Sequence, residues 1–347
     1  MDRVLEIGGF AAGYCGRLFV HQGADVVRVS SNQQSPSWVS QEAMDLYLHA
    51  GKRRINSADR SLIADLAAHA DIVICEASQA DELLRLGIDD WPTHTKVVIT
   101  PYGRTGPKRN WRATPNVMLA VGGYTQLIGD PDKEPLTIPG HYVEFQAGAL
   151  AFTAANASRL AGGESMQASI ATDISMFETL MSLSQFTTVR WHCCGELRQR
   201  HGSDFWYVVP SNLFACTDGW VYINIVPSFW DPLTVFLDKP ELLIDDRFIT
   251  NGLRMLNRAE LHEIVSQAVA QWTKDELVAR AETCRVPLGV VLNFAEVLDD
   301  PHLQARGYWS EFDGQEHGKI KLPGPPYRIN GGAKTPSAGQ QDVASAW

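Results

Sequence analysis

The sequence predicts an α/β fold, with a large domain built on a parallel sheet and a smaller α+β domain. Three observations predict it. Over the first hundred residues, short apolar runs alternate with helical patterns, the signature of strand–helix–strand units. Near Ser211 the texture changes to an alternating strand followed by helical stretches. The length of 347 residues exceeds what one hydrophobic core usually supports, so two domains are expected.

Val4-Leu5-Glu6-Ile7 reads as the first strand, residues 14–22 as a helix, and residues 24–29 as the second strand. Residues 61–70 read as a helix, 71–74 as a strand, 80–86 as a helix and 96–99 as a strand. Right-handed crossovers between such strands give a doubly wound, Rossmann-like start. The first turn, Gly8-Gly9-Phe10-Ala11-Ala12-Gly13, lacks the G-x-G-x-x-G spacing, and Val29 is followed by Ser30-Ser31-Asn32 with no acidic residue for a ribose hydroxyl. The glycines therefore read as a tight turn that lets a ligand approach the backbone, without a dinucleotide site.

Residues 100–140 are rich in Gly, Pro and Asp, and so long a loop region inside a compact domain is usually functional. A long alanine-rich helix follows over 143–160 and a second over 173–191. In the smaller part, residues 220–225 alternate as a strand and helical patterns cover 228–237, 257–271 and 273–283. A strand at 319–322 and the Pro323-Gly324-Pro325-Pro326 tail must pack on something. The expected division is a large domain from 1–195, a small one from 196–300, and a returning segment from 301–347.

Hydrophobic residues make up 45% and charged residues 20%, an ordinary globular balance. Forty acidic against thirty basic residues, without a basic block, argue against a nucleic-acid partner. An anionic ligand must then be held by local arginines and helix N-termini. The six cysteines are scattered, with only Cys193-Cys194 adjacent, which fits neither a disulfide framework nor a zinc site. The start lacks the apolar run of a signal peptide and no run of eighteen apolar residues occurs, so a cytoplasmic, membrane-free protein is expected.

Several segments, in this order, resemble the class III CoA-transferases, the CaiB/BaiF-like family that includes carnitine and bile-acid CoA-transferases and α-methylacyl-CoA racemases. They are Tyr14-Cys15-Gly16-Arg17-Leu18 with Gly23-Ala24-Asp25-Val26-Val27, the Gly51-Lys52-Arg53-Arg54 turn, Arg85-Leu86-Gly87, and Tyr102-Gly103-Arg104-Thr105-Gly106-Pro107. Further on come Asp173-Ile174-Ser175-Met176-Phe177-Glu178, Thr217-Asp218-Gly219-Trp220-Val221, Val286-Pro287-Leu288-Gly289 and Glu296-Val297-Leu298-Asp299-Asp300-Pro301-His302. The resemblance implies a large domain formed by both chain ends, a small domain between them, and an interlocked homodimer or a heterodimer with a paralogue. It further implies acyl-CoA and a carboxylic acid as substrates, with no tightly bound cofactor and no metal. Arg28, Lys52, Arg53, Arg85, Leu86, Tyr102 and Gly103 become candidate CoA contacts.

Family members carry an aspartate four residues before a glycine at the head of the long helix, and here Val143-Glu144-Phe145-Gln146-Ala147-Gly148 puts Glu144 in the nucleophile's place. A carboxylate can attack a thioester to give a mixed anhydride and free thiolate. A helix N-terminus stabilises the carboxylate and offers N–H groups to the developing oxyanion. An acidic residue in a first helical turn is also ordinary dipole complementarity. His141 is a candidate acid or base, or a structural hydrogen-bonder. The aromatic residues Trp111, Phe205, Trp206, Phe229 and Trp230 are candidates for an acyl pocket or for the core.

Departures from the family pattern keep other functions open. Glu76-Ala77-Ser78-Gln79 replaces an Asn-Phe-Arg-Pro-like run, Ser30-Ser31 replaces a charged pair, and Glu144 replaces aspartate. These fit a non-catalytic subunit pairing with an active paralogue. A third reading is an acyl-CoA racemase or lyase with Glu144 as base. Racemisation is disfavoured, because Arg112-Ala113-Thr114-Pro115-Asn116 holds no histidine where that branch needs one.

Overall fold

A computed structural model describes residues 1–30, 42–161, 171–205, 207–313, 318–328 and 341–347. The chain divides into two compact units, one of Met1–Thr125, Thr137–Arg198 and Pro301–Trp347, the other of Gln126–Leu136 and Gln199–Asp300.

The first unit begins β1 (Arg3–Ile7), α1 (Phe10–Gln22), β2 (Asp25–Ser30), α2 (Glu42–His49), β3 (Arg53–Asn56), α3 (Arg60–His69), β4 (Ile72–Glu76), α4 (Ala80–Leu86) and β5 (Thr95–Thr100). The helices α5 (Pro115–Val121) and α6 (Tyr124–Leu127) punctuate the predicted loop region, before α7 (Tyr142–Ala161), β6 (Ala171–Ser175), α8 (Met176–Leu183) and α9 (Gln185–Cys194). Local chemistry sets the ends of these helices. Gly23 closes α1 and Gly87 closes α4 in the left-handed conformation at φ 86° and 77°. Asp59 accepts the Ser61 N–H at the start of α3, and Thr114 with Pro115 starts α5.

In the second unit, β7 (Ser211–Cys216), β8 (Gly219–Asn224) and β9 (Leu288–Val290) form an antiparallel sheet, backed by α10 (Trp230–Phe236), α11 (Asn251–Leu256), α12 (Arg258–Val269), α13 (Lys274–Cys284) and α14 (Phe294–Leu298). Its core joins Val221 and Ile223 of β8 to Leu233, Leu261, Val265 and Leu277 of the helices. The chain then contributes α15 (Pro301–Ala305), the antiparallel pair β10 (Trp309–Asp313) and β11 (Lys319–Pro323), and β12 (Gln341–Asp342) to the first unit.

All seven strands of the first unit's large sheet run parallel, in the order β12-β3-β2-β1-β4-β5-β6. From β3 to β6 this is the 3-2-1-4-5-6 order of a Rossmann sheet, whose ligand crevice lies beyond the ends of β1 and β4. The central strands of the sheet are covered on both faces. One core joins α1, α7 and α8 to Val4, Ile74 and Val97, and the other joins α3 and α4 to Leu5, Val27 and Val73. At the outer edge β12 pairs with β3, Arg54 grips Asp342 at 2.6 and 3.0 Å, and the Trp347 indole donates to Asp25 at 2.9 Å.

The structure corrects four sequence expectations. Residues 171–175 form β6, and the helix expected over 173–191 begins only at Met176, because Ser175 caps it by accepting the Glu178 N–H. That helix also breaks at Ser184 into α8 and α9. The Gly51-to-Arg54 turn runs directly into β3, and the preceding α2 was not expected at all. Ser31 and Asn32, expected after the second strand, lie outside the described residues, as do Gly162 and Gly163.

Candidate active site

Glu144 stands in the first turn of α7 and is 4% exposed. Its Oε1 lies 3.2 Å from Nδ1 of His141, and its Oε2 is enclosed without a hydrogen-bond partner among the described residues. Burial raises its pKa, while its own backbone N–H and the His141 ring pull the other way. The result is a carboxylate more basic than a solvated one, with an acceptor oxygen unused. His141 is fixed in turn by an edge-on contact with Phe10, ring centroids 4.3 Å apart.

What aims Glu144 is the packing of α7 on α1. One turn after Glu144 comes Gly148, where a Cβ would sit 2.5 Å from the Ala11 carbonyl oxygen and 3.1 Å from Tyr14 Cβ. Only a residue without a side chain allows the two backbones to approach so closely. The glycine four residues after the carboxylate is therefore part of the carboxylate's placement. Gly148→Ala is expected to force the helices apart, costing about 1–3 kcal/mol of stability by overpacking. Urea unfolding followed by circular dichroism checks this, and an unchanged midpoint would show that the contact is not tight.

The head of α1 is occupied from within the protein. Its N-cap residue, Gly9, offers no side chain, and Glu76 at the end of β4 takes over, its Oε2 accepting the Ala12 N–H at 2.8 Å. A Cβ at Gly9 would fall 2.8 Å from Glu76 Oε1, and one at Gly8 (φ +127°) 2.6 Å from Glu76 Cβ. In a dinucleotide-binding Rossmann fold this helix N-terminus receives a pyrophosphate. Here an internal carboxyl fills the seat, which agrees with the absent fingerprint. Burial, and then the neighbouring charges of Glu144 and Glu6, push the Glu76 pKa up to about 7. In the sequence, Glu76-Ala77-Ser78-Gln79 stands out only as a departure from the family pattern. The usable signal was an acidic residue ending an apolar strand, opposite the Gly-Gly turn.

The candidate CoA-contacting residues lie in different places. Lys52 is 1% exposed and turned inward, its ammonium 2.6 Å from Glu6 Oε2, 2.7 Å from the Gly13 carbonyl and 3.3 Å from His49 Nδ1. Its three donors are committed to the fold, so its expected role as a ligand contact gives way to a structural one. Burial lowers its pKa to about 8 against the pull of Glu6. Arg28 is 7% exposed and faces Glu6 and Asp45, while His49, its pKa driven down by burial and then by Lys52 and Arg28, stays neutral between them. Arg53 pairs with Asp25.

Arg85 projects into solvent from the last turn of α4, beside half-buried Leu86. Gly103 adopts φ +82° in the loop after β5, and a Cβ there would touch Asp173 and Ser175 at 3.5 Å. Tyr102 packs on Trp111 and Phe177, centroids 6.2 and 5.8 Å away, with the Lys108 ammonium over all three rings. Of the aromatic candidates, Trp230 is buried in the second unit's core with Phe229 against it. Trp111 and Phe205 are exposed, and Trp206 lies outside the described residues. Among the described residues no group of three or more His, Cys, Asp or Glu is placed to hold a metal, and no helix is long and apolar enough to cross a membrane.

A Rossmann-type parallel sheet thus carries an enclosed carboxylate, Glu144, in the first turn of α7. A sequence model described as CoA-transferase family III matches residues 2–341, and the chain belongs to that family. It is 26% identical to succinyl-CoA–D-citramalate CoA-transferase of Chloroflexus aurantiacus, over 92% of this chain and 85% of that relative. It is 23% identical to the alpha subunit of succinyl-CoA–L-malate CoA-transferase of Chloroflexus aurantiacus, over 92% of this chain and 80% of that relative. A CAIB/BAIF family protein from Brucella suis superposes with a TM-score of 0.86 at 24% identity, over 98% of this chain and 95% of that one. The chain is accordingly a CoA-transferase, moving coenzyme A between an acyl-CoA and a carboxylic acid.

Proposed function

We propose that Glu144 carries the transfer covalently, with succinyl-CoA or a similar short acyl-CoA as donor. The observation that carries this is the enclosed Glu144 carboxylate at the head of α7, with one oxygen against His141 and the other without a hydrogen-bond partner among the described residues. Attack of that carboxylate on the thioester carbonyl forms a C–O bond and breaks C–S, giving a mixed anhydride and CoA thiolate. The thiolate attacks the Glu144 carbonyl, releasing the donor acid as carboxylate and leaving a glutamyl-CoA thioester. An acceptor carboxylate attacks that thioester and frees the thiolate, which attacks the acceptor's acyl carbon and restores Glu144. Protons need not move at any step. N–H groups of the first turn of α7 would face the oxyanion formed at the Glu144 carbonyl. Arg85, Leu86, Tyr102 and Gly103 are proposed to meet the CoA portion.

Incubation with succinyl-CoA followed by hydroxylamine should leave a hydroxamate on Glu144, found by peptide mass spectrometry and absent in Glu144→Gln. CoA binding without such an adduct would sink the covalent route.

We further infer that two copies interlock, as the family resemblance implies. In support, Leu183, Val189 and Trp191 on α8 and α9 are 44, 56 and 57% exposed in the single chain. Light scattering on the purified chain should give twice the chain mass. A monomer would point to a missing second subunit, in keeping with the relative named as an alpha subunit.

A further inference from the structure

His141 is the last residue before α7, and its carbonyl accepts the Phe145 N–H at 3.0 Å, which ties its backbone to the helix. Its ring meets the Phe10 ring edge-on, centroids 4.3 Å apart at 81°, and lies 6.2 Å from the Phe145 ring. Backbone and ring are both held, and Nδ1 reaches Glu144 Oε1 at 3.2 Å. A carboxylate has no hydrogen to give, so the hydrogen of this bond belongs to Nδ1. The other oxygen, Oε2, has no hydrogen-bond partner among the described residues. The two oxygens of one enclosed carboxylate are therefore inequivalent.

We propose that His141 is a catalytic oxyanion donor: its Nδ1–H stays on Oε1 of Glu144 throughout CoA transfer and stabilises the negative charge that gathers there whenever the Glu144 carbonyl carbon is attacked, while Oε2 makes the first acyl bond. The inference rests on the reading of Glu144 as nucleophile.

The two oxygens have different fates in that cycle. Oε2 forms the C–O bond to the donor's acyl carbon as the CoA thiolate leaves, and Oε1 becomes the carbonyl oxygen of the mixed anhydride. When the thiolate attacks the Glu144 carbonyl carbon, the C=O electron pair moves onto Oε1. It returns as Oε2 departs with the donor acid. Attack of the acceptor carboxylate on the glutamyl-CoA thioester places a pair on Oε1 again, and its return expels the thiolate. The acceptor's own oxygen takes the place of Oε2 when Glu144 is restored. In the anhydride and the thioester Oε1 is a neutral acceptor, and in both tetrahedral states it is a full anion. A donor fixed there therefore binds the transition states more strongly than the states before them. The proton stays on Nδ1 at every step. A separation of 3.2 Å leaves the bond room to shorten as the charge forms.

Two substitutions in the full chain separate the hydrogen bond from the packing. His141→Asn keeps an N–H donor near the position of Nδ1 and gives up the ring, whereas His141→Phe keeps a ring against Phe10 and gives up the donor. With succinyl-CoA and a carboxylic acid acceptor, His141→Phe is expected to lower kcat and kcat/KM together by about 10²–10³-fold, the usual loss for one oxyanion donor, and His141→Asn should come within about tenfold of wild type. A His141→Phe enzyme that keeps most of the wild-type rate, or a His141→Asn enzyme as slow as His141→Phe, overturns the proposal. The bond itself is read in the wild type by ¹⁵N spectroscopy of the imidazoles, the His141 line being the one that moves in Glu144→Gln. A hydrogen on its Nδ1 is expected. The absence of any line that moves, or a bare Nδ1, overturns the proposal whether or not the two variants fold. A wild type that forms no Glu144 adduct from succinyl-CoA overturns the nucleophile reading and this inference with it, whereas an adduct in the wild type beside a fast His141→Phe removes the role of His141 alone.

Discussion

Glu144→Gln is expected to lower CoA transfer from succinyl-CoA at least about 10³-fold while leaving the fold intact, because the amide keeps the shape of the side chain and removes its nucleophile. The residual enzyme should still bind acyl-CoA, since nothing that would hold the nucleotide portion is touched. Initial rates with a panel of small carboxylic acids measure the loss, and a rate within tenfold of wild type would rule out covalent catalysis on this residue. Glu144→Asp is the informative contrast. It restores the family's usual residue but withdraws the carboxylate by about 1 Å, and a misplacement of that size costs on the order of 10²-fold when attack geometry is tight. The loss is expected because α7 is docked on α1 through Gly148, so the helix head has little freedom to advance and compensate.

The second large effect is structural. Lys52→Met should destabilise the chain by about 3–5 kcal/mol, the usual result of removing one partner from a buried ion pair. Glu6 is 0% exposed and sits against Gly16, where any Cβ would overlap its carboxylate, so water cannot replace the lost ammonium. Adding Glu6→Gln to Lys52→Met should return part of the loss, because the stranded charge is then gone. Thermal unfolding of the two single variants and the double variant measures the coupling. Strictly additive losses would mean that the pair does not act as a unit.

The strands of the large sheet were legible wherever the pattern was a continuous apolar run, as at Val4-Leu5-Glu6-Ile7 and Lys96-Val97-Val98-Ile99, since both faces of a parallel sheet are covered. β6 was not, because it is a short strand at one edge of the sheet that passes straight into α8 with no turn residue between. The family resemblance singled out Glu144 four residues before Gly148, and the structure shows that this glycine lets α7 dock on α1. Lys52 was misread as a ligand contact because a Lys-Arg-Arg run looks like a surface patch. Just before β3 the chain turns Lys52 inward to Glu6, while Arg53 and Arg54 pair with Asp25 and Asp342. The place of Glu76 was overlooked because it comes from the end of β4 meeting the head of α1, which no local pattern announces.

The pairing of β12 with β3 constrains the order of folding. Gln341 and Asp342 complete an edge begun by Arg53 and Arg54, so the sheet's outermost hydrogen bonds close a loop of nearly the whole chain. Such a contact contributes little while the chain is being made, and β3 must wait with an open edge while the whole second unit is synthesised. The two arginines on that edge suit the interval, since charged side chains discourage a neighbouring chain from pairing there. When residues 341 and 342 arrive, Asp342 binds Arg54, and a charge that guarded the edge becomes the clasp that shuts it.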